Sequence, residues 1–317
     1  MTVGRTVLLL GGTGFLGRAI GAAFEAGGAR VLSAARGGPL RLDLTRAGAE
    51  DLAALLRAHP PDVVVNAAGR AWRATDEEMY AANALAVVRL VEAMAGLPDR
   101  PRLIQLGSVH EYGAGVVGAG LREDHPPAPV TAYGRSKLRG SQAVLDGVRT
   151  ANLDGIVLRL ANVCGPGAPA GSLLGAVGAR LARAGSAPRA ADDPVVLRVA
   201  PLRARRDFVD VRDVAEAVVA AAGLPGTGPA EPVINIGRGE ALDMRELVER
   251  LAALSGLPVR IVEAETDGPL RADVEWQRLD VSKARLLLGW RPRRGVDRSL
   301  GDLLAVERAA APAARPA

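Results

Sequence analysis

An apolar run, Thr6–Leu10, passes at once through Gly11-Gly12-Thr13-Gly14-Phe15-Leu16-Gly17 into an alanine-rich stretch, 18–26, with helical periodicity. Strand, glycine turn and helix in immediate succession restrict the fold more than anything else in the chain. The glycines read equally as Gly12-x-Gly14-x-x-Gly17 or as Gly11-x-x-Gly14-x-x-Gly17. In either reading Gly14 lets backbone approach a pyrophosphate, and the helix N-terminus beyond it supplies oriented N–H donors. Gly11, Gly14, Phe15, Leu16 and Gly17 are therefore expected to contact a dinucleotide.

The first half continues the alternation. A second strand, 30–34, ends in Ala34-Ala35-Arg36. A carboxylate is expected at this strand end when the cofactor is NAD, to hold the ribose hydroxyls. Alanine stands there instead, then an arginine able to grip a 2′-phosphate, which favours NADP(H) over NAD(H). A run at 40–44 closes on Asp43-Leu44, placed to touch an adenine ring. A helix at 50–58 leads to the strand Val63–Asn66 and the small-residue turn Ala67-Ala68-Gly69, where backbone passes close to the cofactor. There follow an apolar-faced helix at 79–94 carrying Asn83, a strand at 103–106, a loop rich in glycine and proline at 113–129, a helix with Tyr133 and Lys137, and a strand at 156–160. This order predicts an α/β fold, a Rossmann-like doubly wound parallel sheet with ligands at the carboxyl ends of its strands.

Ser108, Tyr133 and Lys137 carry the candidate chemistry. Tyr133 and Lys137 are four apart and share one helix face. A free phenol titrates near ~10. An ammonium a few ångströms away is expected to pull it toward the working pH, where proton transfer is most efficient. Ser108, at the end of an apolar run, is able to bond the same substrate oxygen. The chain has 40 lysines and arginines together, and only Lys137 and Lys283 are lysines. A chain that otherwise writes arginine places a compact ammonium at 137.

After Arg159-Leu-Ala-Asn-Val-Cys-Gly-Pro-Gly167 the texture changes. Residues 168–204 read as loop and helix with prolines and little strand pattern. Short strands at Val233–Ile236 and 260–262 flank a helix at Met244–Ser255, 279–292 read as a helix with a turn, and the tail from 309 reads as a disordered end. The expected division is a dinucleotide-binding domain, 1–163, and a substrate lobe, 164–317, with 206–222 packing back on the first.

Composition closes off other classes. A single cysteine, Cys164, excludes an internal disulfide framework and fits a reducing cytoplasm. No signal peptide is expected, since the apolar run near the N-terminus stops at glycine. No apolar stretch approaches the ~20 residues of a membrane helix. The net charge is +5, but the arginines are interleaved with acids and the clusters at 203–206 and 291–294 are short, so no nucleic-acid partner is expected. No metal site is expected.

Together, GGTGFLG, Asn66-Ala67-Ala68, Asn83, Ser108, Tyr112-Gly113, Tyr133-x-x-x-Lys137, RLANVCGPG, RDFVDVRDV, NIG and LGW resemble the sugar-nucleotide branch of the extended short-chain dehydrogenase/reductase family, in order and over nearly the whole chain. The resemblance implies hydride chemistry with Ser108, Tyr133 and Lys137 as catalytic residues. It also implies that Asn162 and Arg206 contact the diphosphate of a nucleotide-sugar substrate, and that the protein is a homodimer built through helices such as 79–94 and 136–148. For Arg206 the alternative is a salt bridge with Asp207 or Asp210. The 4,6-dehydratases of this branch carry an aspartate and a glutamate where Val109 and His110 stand here, so elimination is not expected. Val109 and His110 are then read as lining the sugar pocket, with His110 otherwise a polar surface residue.

An epimerase that retains NAD and a ketoreductase that consumes NADPH both remain. Arg36 favours the second, and the chain looks most like the NDP-hexose 4-ketoreductases of actinobacterial deoxysugar pathways. The expected reaction is reduction of the C4 ketone of a nucleotide-linked, dTDP in first place, 4-keto-6-deoxyhexose. The competing readings are a UDP-sugar 4-epimerase, a reductase of a non-sugar ketone, and a non-catalytic NADP(H)-binding module; the Tyr/Lys pair argues against the last.

Overall fold

The computed structural model describes residues 3–187, 190, 193–225, 232–264 and 275–311. Strands β1 (Thr6–Leu10), β2 (Arg30–Ala35), β3 (Leu40–Arg41), β4 (Val63–Asn66), β5 (Arg102–Ser108) and β6 (Gly155–Leu160) are interleaved with helices α1 (Phe15–Ala26), α2 (Ala49–Ala58), α3 (Asp76–Tyr80), α4 (Ala86–Ala95) and α5 (Ala132–Ala151). Beyond them come β7 (Asn162–Cys164), α6 (Leu173–Ser186), β8 (Val195–Val199), β9 (Arg205–Arg206), β10 (Phe208–Asp210) and α7 (Val211–Ala222). The chain continues through β11 (Val233–Ile236), β12 (Leu242–Asp243), α8 (Met244–Ser255), β13 (Val259–Glu263), β14 (Trp276–Gln277), α9 (Ser282–Leu288) and α10 (Val296–Ala310).

Seven strands form a parallel sheet in the order β11-β6-β5-β4-β1-β2-β3. The strand order reverses between β1 and β4, where a crevice opens at the carboxyl edge. Alternate residues of β1 serve opposite faces. Val7 and Leu9 pack with Ile20 and Phe24 of α1 and with Val214 and Val218 of α7. Leu8 and Leu10 pack with Leu52 and Leu56 of α2, Leu90 and Met94 of α4 and Val144 of α5. A third core joins Leu174 and Leu181 of α6, Leu197 of β8, Leu247 and Leu251 of α8, and Leu300 and Leu303 of α10. Small residues bring α5 close to its neighbours: a Cβ on Gly140 would collide with the Asn83 carbonyl.

The sheet takes its edge strand β11 from beyond residue 163, and α7 lies on α1 in the same core, with Arg5 donating to the Ala222 carbonyl at 2.7 Å. The expectation of little strand between 168 and 204 is corrected by β8, which pairs in parallel with β13. Its Val195, Leu197 and Val199 are buried and Arg198 is exposed, a half-buried strand inside a proline- and arginine-rich setting. The run at 40–44 is strand only over Leu40–Arg41, because Asp43 turns the chain by accepting the Thr45 N–H at 3.0 Å. The helix expected over 79–94 is broken by a π-helical turn, Ala81–Leu85, between α3 and α4. At the other end α10 runs to Ala310, and 312–317 lie outside the described residues. Among the described residues no helix is long and apolar enough to cross a membrane.

Buried carboxylates fasten the later segments to this frame. Asp207, between β9 and β10, accepts the N–H groups of Arg238 (2.8 Å), Gly239 (2.9 Å) and Leu279 (3.2 Å). Asp213 of α7 accepts the N–H of Arg294 at 3.0 Å and its guanidinium at 2.6 Å. Burial pushes the Asp207 carboxyl up to about 6, against the pull of its three N–H donors. In the unfolded chain that group ionises near ~3.9. The folded state therefore binds the proton more tightly, and the stability this group contributes when protonated is lost as pH rises toward about 6. Urea denaturation of wild type and Asp207→Asn across that window is expected to show the fall in wild type alone, on top of a uniform loss in the variant from its poorer acceptor.

Candidate active site

The glycine turn is held by contact. Gly11 has φ +79°, and a Cβ there would sit 2.7 Å from the Ala68 nitrogen. A Cβ on Gly17 would collide with the Gly11 carbonyl, and one on Gly12 with the Ser33 hydroxyl. These three glycines let β1, β2, β4 and α1 meet. Gly14 differs: it is exposed, its nearest obstacle is the Gly11 oxygen at 3.2 Å, and it starts α1 with no side-chain cap. Behind it, Phe15 packs toward the third core and Leu16 toward the first. The open N-terminus of a 12-residue helix is thus presented at the switch point.

At the neighbouring edge Ala34 and Ala35 are buried and Arg36 is exposed. Asp43 accepts the Thr45 hydroxyl at 2.7 Å, and this bond foremost, with Arg36 and Arg46 nearby, holds its carboxyl below the ordinary range. Leu44 rests half-buried on the core beside it. At the end of β4, Asn66 donates to the Gln105 side chain at 2.8 Å and accepts the Ala68 N–H at 3.2 Å, shaping the Ala67–Ala68 turn.

Asn83 lies in the π-helical turn, buried, and brackets two elements. Its amide donates to the Arg70 carbonyl (2.7 Å) and the Ser136 hydroxyl (3.0 Å), and accepts the Arg70 N–H (2.9 Å). Ser136 donates in turn to the Tyr133 carbonyl at 2.8 Å. π-turns inside helices recur at functional sites, and this one couples the loop after β4 to the helix bearing Tyr133.

Ser108 ends β5, Tyr133 and Lys137 lie on the first turns of α5, and the Ser108 side chain is near enough to the Tyr133 phenol to act on its proton. The His110 ring stands edge-on to Tyr133, 5.6 Å between centroids and 72° between planes. Tyr133 keeps a partly open face, yet the packing around it pushes its phenol up to about 12. The Ser108 bond pulls that value down and the Glu111 charge raises it further. The buried Lys137 ammonium donates to the Leu106 carbonyl, and burial holds it below its ordinary value against the attraction of Glu111. The sequence reading expects a phenol lowered by Lys137. The structure reverses that direction, because burial, the largest influence on the phenol, raises it.

Residues 7–237 match the family model described as the NAD dependent epimerase/dehydratase family. The chain belongs to this family. It is 44% identical to dTDP-6-deoxy-L-talose 4-dehydrogenase (NAD(P)(+)) of Kitasatospora kifunensis over 94% of each chain. It is 28% identical to dTDP-L-rhamnose 4-epimerase of Burkholderia thailandensis over 95% of this chain and 94% of that one. Among solved structures, RMD of Pseudomonas aeruginosa, complexed with NADPH, superposes with a TM-score of 0.82 at 24% identity, covering 97% of this chain and 98% of that one. As a member of this family the chain is an NAD(P)-dependent oxidoreductase.

One sequence reading changes within that family frame. The sequence reading places Val109 in the substrate pocket; it is fully buried in the first core, because the 3₁₀ turn Val109–Glu111 rotates it inward and leaves His110 beside the Tyr133 ring. Asn162 and Arg206, half-buried, lie past the sheet's carboxyl edge, Asn162 donating to the Asp207 carbonyl at 3.1 Å. Of the two carboxylates named as alternatives for Arg206, Asp207 accepts the three N–H groups above and Asp210 the Arg212 guanidinium and the Ser299 hydroxyl. Sequence reasoning passed over Glu111, whose spacing Ser108-x-x-Glu111 is that of a capping box and was the available signal. For the bracket, Asn83→Ala is expected to cost about 1–3 kcal/mol, since it leaves the Arg70 backbone groups unpaired; urea denaturation measures it.

Proposed function

We propose that the protein reduces, with NADPH, the C4 ketone of a dTDP-linked 4-keto-6-deoxyhexose. The observation that carries the reading is the placement of Ser108 at the end of β5 and of Tyr133 and Lys137 one turn apart on α5, with no acid–base carboxylate at 109 or 110 in the turn after Ser108. The 44% identical relative is by name a 4-dehydrogenase of a dTDP-6-deoxyhexose, and oxidation and reduction at C4 are one reaction run in two directions.

The residues fit a dinucleotide. Gly14 leaves room above an uncapped helix N-terminus, so Gly11, Gly14, Phe15, Leu16 and Gly17 would hold the pyrophosphate, with Ala67 and Ala68 beside it. Arg36 would take a 2′-phosphate, with Asp43 and Leu44 at the adenine. A bound nicotinamide supplies the hydride. Ser108 donates to the ketone oxygen and orients it against Tyr133. Tyr133, protonated at neutral pH, gives its proton to the alkoxide, a direction that suits reduction. Lys137, an ammonium one turn along the helix that releases its proton more readily than usual, would restore the proton to the phenolate. Asn162 and Arg206 would meet the diphosphate, and His110 the sugar beside Tyr133. The same reading makes the protein a homodimer through α4 and α5, where Tyr80 is half-exposed beside a cleft lined by Pro129 and Leu138.

The 4-epimerase relative favours a second reading, retention of NAD and return of the hydride to the opposite face. Nucleotide released on denaturation separates them: weakly held cofactor with NADPH preferred, and turnover of a dTDP-4-keto-6-deoxyhexose, support the reductase, whereas stoichiometric tightly held NAD overturns it. Neither reading survives if only a non-sugar ketone is reduced. Tyr133→Phe is expected to lower kcat by about 100-fold or more with NADPH binding unchanged in a fluorescence titration. Arg36→Ala is expected to cut the preference for NADPH over NADH in kcat/KM by about ten-fold or more, the weight of one charge-assisted bond.

A further inference from the structure

Glu111 is fully buried, and its carboxylate meets three elements at once. One oxygen accepts the Ser108 N–H at 2.8 Å and the Ser141 hydroxyl at 2.9 Å; the other accepts Arg159 Nε at 2.8 Å. Ser108 ends β5, Ser141 lies one turn beyond Lys137 on α5, and Arg159 belongs to β6. Space is reserved for the group, since a Cβ on Gly107 would sit 2.7 Å from its oxygen. The Arg159 guanidinium covers the Tyr112 ring at 4.4 Å, and the Tyr112 hydroxyl donates to Asn235 of β11 at 2.8 Å.

We propose that Glu111 is a positioning residue for this site: its carboxylate sets the Ser108 turn against the Lys137 helix and gives the site a buried negative charge. The proposal deepens the reductase reading and rests on it for its place in catalysis. The charged and titratable groups around the carboxylate are Arg159 on β6, Lys137 and Tyr133 on α5, and His110 and Tyr112 on either side of it in the chain. Glu111 favours the charged form of Lys137 and the protonated form of Tyr133 together, so one anion keeps both protons of the relay in place. Removing the charge therefore moves both groups toward lower pH. A carboxylate that only tied elements together would move neither.

The chain has two lysines, so selectively labelled lysine gives two side-chain signals, assigned with Lys283→Arg. Nuclear magnetic resonance titration is expected to place Lys137 at lower pH in Glu111→Gln than in wild type, with Glu111→Asp nearer wild type. Because Glu111→Gln leaves Arg159 buried without its counter-ion, the same titration is run on Glu111→Gln with Arg159→Met, where both charges go and the methionine keeps the Tyr112 ring covered. The same downward shift is expected there, and both limbs of the pH profile for turnover should move down with it. An unmoved Lys137 signal in the folded double variant overturns the proposal. The two readings fail separately. A wild type inactive on nucleotide sugars removes the reductase assignment while the lysine titration still decides the charge role, and an active wild type with an unmoved signal removes Glu111 alone.

Discussion

The contact between the turns that follow β1 and β4 is the constraint on which the rest of the structure depends. Gly11, at φ +79°, presents only hydrogen where a Cβ would come 2.7 Å from the Ala68 nitrogen. Gly17 brings α1 down on the same turn from the other side. The strand order reverses at these two strands, so successive connections leave in opposite directions and the crevice opens between them. A methyl group at Gly11 would part the turns. It would thereby move the Ala67–Ala68 platform, and with it the loop that Asn83 ties to the Tyr133 helix.

What the glycines bring together, buried polar side chains hold in register. Asn66 spans β4 and β5, Asn83 joins the loop after β4 to α5, Glu111 joins β5, α5 and β6, and Asp207 joins the β9–β10 link to the segments after β11 and β14. Each bracket is made of several short hydrogen bonds in a low-dielectric interior, where satisfied networks rigidify and a single lost partner costs heavily. They cluster along the carboxyl edge, where backbone leaves the sheet and the ladder no longer fixes it. The residues proposed for catalysis hang from these brackets, so their geometry is set by groups that never meet substrate.

How much of this was legible follows from the range of each interaction. The glycine turn and the alternation of β1 and β5 show in the sequence because contact and burial repeat at short fixed spacings. The Tyr133–Lys137 face shows for the same reason. The strand β8 is hidden because its buried Val195, Leu197 and Val199 make sense only beside β13, more than sixty residues on. Nothing in Ala-Ala-Asn-Ala-Leu announces the π-turn that points Asn83 at Ser136. Whether Val109 or His110 lies beside Tyr133 depends on a single 3₁₀ turn, and alternation along the chain does not report it. Spacing also puts Lys137 one turn from Tyr133 without saying how deep either lies, and depth sets the direction of the phenol's shift.

Depth also explains the choice of lysine at 137. A guanidinium there would bring five donors into a buried place where the ammonium donates to the Leu106 carbonyl, and it would hold its proton at any working pH. An ammonium needs fewer partners and yields to burial. Burial raises Tyr133 and lowers Lys137, so their ordinary order is reversed and the phenol holds its proton the more tightly of the two. Glu111 raises both, which keeps the phenol a donor and the ammonium charged until the reaction draws on them. In the proposed reduction the alkoxide takes the phenol's proton first and leaves a phenolate one helical turn from Lys137. The proton's second step is thus set by the charge the first one leaves behind.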